Sequence, residues 1–312
     1  MGPRMVTSRW TELLSLIISV WLFILRQDMK FLRLNCQCLR LRNKFSRASV
    51  VAPEGPIVSL TTYGQRMHTV YLTIESIGRG SLLPSQLILW IQDHHAFTHR
   101  PVELRRLERR GLEVRLTESY GSHSKYYPYL LATDEFSKPL VTADDDALYN
   151  SWWLAGLTNA HELAPCAVHC YRARVVRLVK GGLAPYVTWT KCRSVEPGNR
   201  IFATGASGCI YPAEFLPYLK RAGTTFLYLC PRADDVWLHL NALRSGFTVR
   251  QVFSRPLEFP SIPGTQHNAL YKENCEQGEN DVQISVTYKV GDLALLTGTG
   301  ETPEQAGCTF AS

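Results

Sequence analysis

The chain has no apolar run long enough to cross a bilayer. The longest, from Leu13 to Leu25, is thirteen residues, and a spanning helix needs about twenty. No small-x-small cleavage site follows that run. Arg26-Gln27-Asp28 comes instead, which argues against a cleaved signal peptide. A disulfide framework is also missing. The nine cysteines are odd in number, and the close pairs Cys36/Cys38 and Cys166/Cys170 have no companions at zinc-site spacing. Buried, reduced thiols in a cytoplasmic enzyme are the expectation. There is no internal repeat and no recognisable nucleic-acid-binding fold. Acids are nearly absent from Arg26 to Arg47, where Asp28 stands alone against Arg26, Lys30, Arg33, Arg40, Arg42, Lys44 and Arg47.

That one-sided stretch carries much of the formal charge of +7, so the excess describes an N-terminal arm over 1–50 better than the fold. Its positives alternate with Leu and Phe, as on a lipid-facing helix rather than a nucleic-acid patch. Residues 10–47 are therefore expected to touch a membrane surface peripherally, at the inner face of the cell membrane. The other reading is a helix packed on the domain. No nucleic-acid partner is expected.

After the turn-rich Val51-Ala52-Pro53-Glu54-Gly55-Pro56 comes a regular α/β alternation. Ile57–Thr61, Gln86–Ile91, Leu112–Leu116 and Leu140–Ala143 read as strands. His68–Ile77 and Pro101–Arg110 read as helices, each with a glycine at or just past its end. The second half is less regular. Ser151–Leu163 and Asp234–Ser245 read as helices, and Ala167–Tyr171, Ile201–Ala203 and Thr248–Phe253 as strands. The domain is taken to run over 56–290, with a loose tail over 292–312. The pattern is α/β: a Rossmann-type nucleotide-binding half on a mixed central sheet, then a half carrying the acceptor site.

Three consecutive aspartates, Asp144, Asp145 and Asp146, follow the apolar run Pro139–Ala143. In open α/β sheets ligands bind just outside the carboxyl ends of strands. Two carboxylates about 6 Å apart repel by roughly 3 kcal/mol at an effective dielectric near 20, and a divalent cation reverses that penalty. Magnesium-like ions take one or two carboxylates plus substrate phosphates. A nucleotide diphosphate held through a cation is one reading, and a solvated acidic turn is the other. A second pair, Asp234-Asp235, opens a helix. Acids there serve as caps and dipole partners, or one of them takes a proton from an attacking hydroxyl.

The layout resembles glycosyltransferases of the GT-A fold, especially the family-2-like group that uses nucleotide-sugar donors. Thr142-Ala143-Asp144-Asp145-Asp146 resembles the Asp-x-Asp motif of that fold. Asp234-Asp235-Val236-Trp237 resembles the acidic pair that holds the base, and Val58–Tyr63 the first donor-binding strand. The resemblance implies a hexosyltransferase that moves sugar to an acceptor hydroxyl with inversion, in cell-surface glycan or glycolipid (polysaccharide) synthesis. Its partners would be a nucleotide-sugar donor, a glycan or lipid-linked acceptor and a divalent metal, Mn2+ or Mg2+. By that resemblance Asp144 or Asp145 bonds donor ribose or sugar, and Asp146, with Asp144, binds metal. Thr61, Thr62 and Tyr63 lie against the nucleoside, Arg66 meets phosphate or ribose, and Asp93 reads the base. Asp235 is the base and Asp234 positions the acceptor, while His267 stands where some of these enzymes bring a late histidine to the metal. Lys125 is read from its place before the fourth strand as a phosphate neutraliser or a solvated lysine. The chain has Asp234-Asp235 where the family has Glu-Asp, and only His239 and Arg244 offer a basic group in the following helix.

Two rivals remain. A haloacid-dehalogenase-like phosphatase also uses Asp-x-Asp after a strand, but on the first strand of its domain rather than the fourth. A non-catalytic nucleotide- or membrane-binding module on the same scaffold is the other.

Overall fold

A computed structural model describes residues 29–180, 182–265 and 278–298. The apolar run before Arg26, His267 and most of the expected tail lie outside them. A helix over 29–45 (α1) leads to β1 (Ile57–Thr62), α2 (Val70–Ile77), β2 (Gln86–Ile91), α3 (His94–Thr98), α4 (Val102–Glu108) and β3 (Leu112–Leu116). α5 (Tyr127–Leu131), β4 (Leu140–Thr142), α6 (Trp153–Leu163) and β5 (Ala167–Cys170) follow. Then come β6 (Ala173–Val175), the hairpin β7 (Leu178–Val179) with β8 (Gly182–Leu183), β9 (Thr190–Lys191), β10 (Ile201–Ala203) and β11 (Cys209–Tyr211). α7 (Leu216–Arg221), α8 (Phe226–Leu229), α9 (Asp234–Arg244), β12 (Thr248–Gln251), α10 (Glu279–Thr287) and α11 (Val290–Thr297) complete the chain.

The fold is α/β, built on a seven-stranded mixed sheet in the order β12-β5-β11-β4-β1-β2-β3. β11 alone runs antiparallel to its neighbours β4 and β5. β2 is a nearly continuous apolar run and β1 (Ile-Val-Ser-Leu-Thr-Thr) is buried along almost its whole length, because both faces of the sheet are covered. Their side chains alternate between two cores. Val58, Leu60, Leu87 and Leu89 pack with Ile74, Leu104 and Leu157 on one face. Ile57, Ile88 and Trp90 pack with Tyr126, Phe226 and Leu240 on the other. From β1 the chain goes one way to β2 and β3, then returns to lay β4 on the other flank of β1. The carboxyl ends of β1 and β4 thus meet at a topological switch point, where open α/β sheets bind ligands.

Several expectations are revised. The expected strand Ile201–Ala203 is present, in a small sheet with β6 and β9, while β11, which was not expected, joins the main sheet. Position 292 does not start a loose tail. Asp292 lies in the first turn of α11 and is gripped by Arg244 through two bonds of 2.8 Å. Cys166 is disulfide-bonded and Cys38 is exposed, so reduced, buried thiols describe only part of the set. The described part of the arm is docked: Cys36 and Leu39 are buried in the same core as Ile74 and Leu107. Among the described residues, no helix is long and apolar enough to cross a membrane.

That docking centres on Glu75 of α2, which is fully buried. Its carboxylate accepts from both Arg110 guanidinium nitrogens and from Asn43 Nδ2 at 3.1 Å, and lies 3.1 Å from Arg42 Nε. Removing one partner of a buried ion pair leaves the other charge uncompensated. Glu75→Ala is therefore expected to destabilise the fold by about 3–5 kcal/mol, read as a lowered midpoint in denaturant with an unchanged slope.

Candidate active site

β4 ends in a turn that sends the three aspartates in different directions. Asp145 is drawn back to β1: its Oδ2 accepts from Thr62 Oγ1 at 2.8 Å and its Oδ1 from Arg66 Nη1 at 2.7 Å. Its backbone carbonyl accepts from Thr73 Oγ1. Asp146 lies 3.0 Å from the other end of the same guanidinium, which also donates to the carbonyl of Thr265. Arg66 therefore spans both carboxylates and ties the segment after β1 to Pro263–Thr265. Tyr63, Arg66, Thr69 and Thr265 line a cleft of about 180 Å3 there. This is below the roughly 300–1,000 Å3 of small-molecule sites, so the cleft can hold one part of a larger ligand. The larger hollow, about 420 Å3 between the β7–β8 hairpin and α10, is remote from these acids in its lining residues.

Asp144 points the other way. Its Oδ2 accepts the backbone N–H of Ser207 at 3.0 Å, and its Oδ1 lies 3.4 Å from Lys125 Nζ. Lys125 also lies 3.6 Å from Asp234 Oδ2. One ammonium thus joins the tip of β4 to the first turn of α9, about 90 residues away along the chain. Gly205 closes the group. A Cβ there would lie 3.8 Å from Asp234 Oδ2, 3.8 Å from Asp235 Cβ and 4.0 Å from Lys125 Nζ. The turn holding Gly205 is fixed by Trp153, whose indole N–H donates to the Ser207 carbonyl. Ser207 is non-glycine at φ 72°. Such a backbone costs of order 1–3 kcal/mol and is kept where surrounding contacts dictate it.

The acids of α9 are not spent as ordinary caps. The helix begins after Ala233 with no side-chain cap, and the N–H of Asp234 goes to Ser122 Oγ. Asp235 Oδ1 accepts the N–H of Val236 at 2.9 Å. Burial, then the neighbouring charge of Asp234, push the Asp235 carboxyl up to about 7, against the pull of Lys125. Asp146 is pushed up to about 6, first by burial; Arg66 opposes this and the charges of Asp144 and Asp145 add to it. Burial also disfavours the Lys125 ammonium, but Asp234, Asp144 and Asp235 outweigh it and raise its pKa.

The structure brings together Thr62, Arg66, Lys125, Asp144, Asp145, Asp146, Asp234 and Asp235. Thr61 sits beside them and donates to the Trp90 carbonyl, and Tyr63 is exposed on the cleft. Asp93 is not gathered in. It caps α3, accepting the N–H of Ala96 at 2.7 Å. His239 and Arg244 are also committed elsewhere, to Tyr288 and Asn199 and to Asp292. Trp153 is core, stacked on Tyr149, and Trp152 is partly exposed. His95 and His99 stack on each other on the surface. Ser207 and the Thr265 carbonyl are additions that no residue pattern signalled.

Among the described residues, no group of three or more His, Cys, Asp or Glu is placed to hold a metal ion. The carboxylate oxygens of Asp144 and Asp146 are the type of donor that a hard cation shared with phosphate oxygens takes. The burial, and after it the like charge of Asp144 and Asp145, that raise Asp146 are a penalty such a charge would relieve.

These features define an open α/β sheet with an acidic, lysine-bridged centre at its switch point. No family model matches the chain, and no curated protein matches it in sequence. Among solved structures it is similar to a CMP:2-keto-3-deoxy-manno-octonic acid synthetase complexed with CTP, at 11% identity over 72% of this chain and 98% of that one, with a TM-score of 0.39. It is also similar to a 4-diphosphocytidyl-2C-methyl-D-erythritol synthase from Anaerococcus prevotii, at 14% identity over 74% and 98%, with a TM-score of 0.42. At such scores neither likeness bears on the chemistry.

Proposed function

We propose that the chain is a glycosyltransferase that moves a sugar from a nucleotide-diphosphate donor to an acceptor hydroxyl, with inversion. The supporting observation is the convergence of two acidic elements on Lys125, 3.4 Å from Asp144 and 3.6 Å from Asp234. A displacement needs negative charge managed at one end and a proton removed at the other. This cluster offers both within one side chain's reach.

In this reading Asp235 is the general base. With its carboxyl at about 7, it is poised to hold a proton near neutral pH. Asp234 orients the acceptor. Thr61, Thr62 and Tyr63 lie against the nucleoside, and Arg66 and Lys125 meet the diphosphate. Asp144 and Asp146 would hold a manganese or magnesium ion, which when bound supplies Lewis-acid neutralisation of the departing diphosphate. Asp93 carries no role here, because capping explains it. The acceptor is a glycan or a lipid-linked saccharide, and the place of work is the inner face of the cell membrane.

The test is a panel of nucleotide sugars incubated with the full chain and manganese, scored for donor hydrolysis and for transfer. Turnover of one donor is the expected result. Release of phosphate from a generic phosphomonoester without any sugar transfer would favour the phosphatase alternative. Nucleotide binding with no turnover of any donor would favour the non-catalytic module.

A further inference from the structure

The helix α1 carries two apolar stripes, and only one of them faces the domain. Leu32, Cys36, Leu39 and Asn43 recur at four- and three-residue steps and turn inward; Cys36, Leu39 and Asn43 are buried. A second series, Phe31, Leu34, Cys38, Leu41 and Phe45, follows the same spacing on the opposite side. It is open to solvent: Phe31 is 74% exposed and Phe45 69%. A large exposed apolar strip of this kind marks an interaction surface.

The flank of this strip decides what it meets. Lys30, Arg33, Arg40 and Lys44 form a third row beside the exposed apolar one, and no acid occurs from 29 to 47. Lys44 Nζ sits 5.3 Å from the Phe45 ring, so cation and aromatic belong to one patch. A second copy pairing through the apolar series would bring two rows of the same charge together. An anionic bilayer surface satisfies both rows at once, with apolar side chains entering the interface and lysines and arginines meeting lipid phosphates. The docking of the other face through Glu75 makes the helix a rigid part of the domain rather than a loose tether.

We infer that the outer face of α1 is a docking surface for anionic lipid bilayers, holding the domain against the membrane. This does not depend on the reaction proposed above. The experiment is co-sedimentation of the full chain with vesicles of phosphatidylcholine alone, or of phosphatidylcholine mixed with phosphatidylglycerol, at low and high salt.

Two variants are compared, Lys30→Gln/Arg33→Gln/Arg40→Gln/Lys44→Gln and Phe31→Ser/Phe45→Ser. All the altered side chains are exposed, so thermal midpoints should stay at the wild-type value. Wild type is expected to prefer the anionic vesicles and to lose that preference in high salt. The fourfold variant should bind them roughly 100-fold more weakly or worse, and the double variant should also weaken. Equal binding of wild type to both vesicle types, or unchanged binding by the fourfold variant, would overturn the inference. So would concentration-dependent dimerisation abolished by the double variant while vesicle binding persists, which would assign the face to a second copy.

Discussion

Asp235→Asn is expected to lower turnover by roughly 100- to 10,000-fold while leaving donor affinity near the wild-type value. Asparagine keeps the shape of the side chain and can still accept from the Val236 N–H, so the first turn of α9 should not move. What is lost is the capacity to take a proton. The affinity half of the prediction follows from geometry: apart from Lys125, the groups proposed to meet the donor lie at or just after the tips of β1 and β4, and Asp235 opens α9 on the far side of Lys125. Unchanged turnover in this variant would remove the base assignment. A parallel loss of donor binding would show instead that Asp235 belongs to the donor site.

The same residue fixes the sign of the pH dependence. A base works only when unprotonated, and burial with Asp234 places the Asp235 carboxyl at about 7. Turnover should therefore rise with pH through about 7 and level off above it. In Asp235→Asn the residual rate should lack that acid limb. A wild-type profile flat from pH 5 to 9 would contradict the assignment.

Much of the first half was legible because its signals are local. β2 and β4 are short, mainly apolar runs that suit a sheet covered on both faces, β1 opens right after the turn-rich 51–56, and Gly78 and Gly111 mark the helix ends before β2 and β3. What could not be read was set by pairing at a distance. Cys209-Ile210-Tyr211 is too short to show any alternation, and it is a strand because β4 and β5 flank it. Ile201–Ala203 is equally short, and it pairs with β6 instead of joining the main sheet. α11 was hidden by the glycine- and threonine-rich composition around it, and its anchor is the contact between Arg244 and Asp292. At the site, residue type was legible but partnership was not. An acid after a strand reads alike whether it caps a helix, as Asp93 does, or faces a cluster, as Asp144 does. Nothing in the sequence announces that Ser207 takes a left-handed backbone to bring its N–H to Asp144.

Asp146→Ala is expected to abolish the strengthening of nucleotide-diphosphate binding by manganese or magnesium. Asp145 cannot replace it, because both of its oxygens are already held by Thr62 and Arg66. Asp144, the other proposed ligand, already has one oxygen on the Ser207 N–H and the other near Lys125, so alone it offers the ion one shared contact. Asp146 sits at the tip of β4 with a carboxyl pushed up to about 6, first by burial and then by Asp144 and Asp145 against the pull of Arg66, and a second cation would lower that penalty. Losing one charged contact of this kind costs about 1.5–3 kcal/mol, or roughly 10- to 150-fold in affinity. Isothermal titration with metal and with chelator measures it. Wild type should bind the diphosphate more tightly with metal, and the variant should bind equally in both. With Asp146 gone, Arg66 keeps its bonds to Asp145 and to the Thr265 carbonyl and loses only the charge that neutralised its Nη2 end, so the metal-free affinity of the variant should not fall. Metal-independent binding already in the wild type would leave the charge to Arg66 and Lys125 among the described residues and would end the metal assignment.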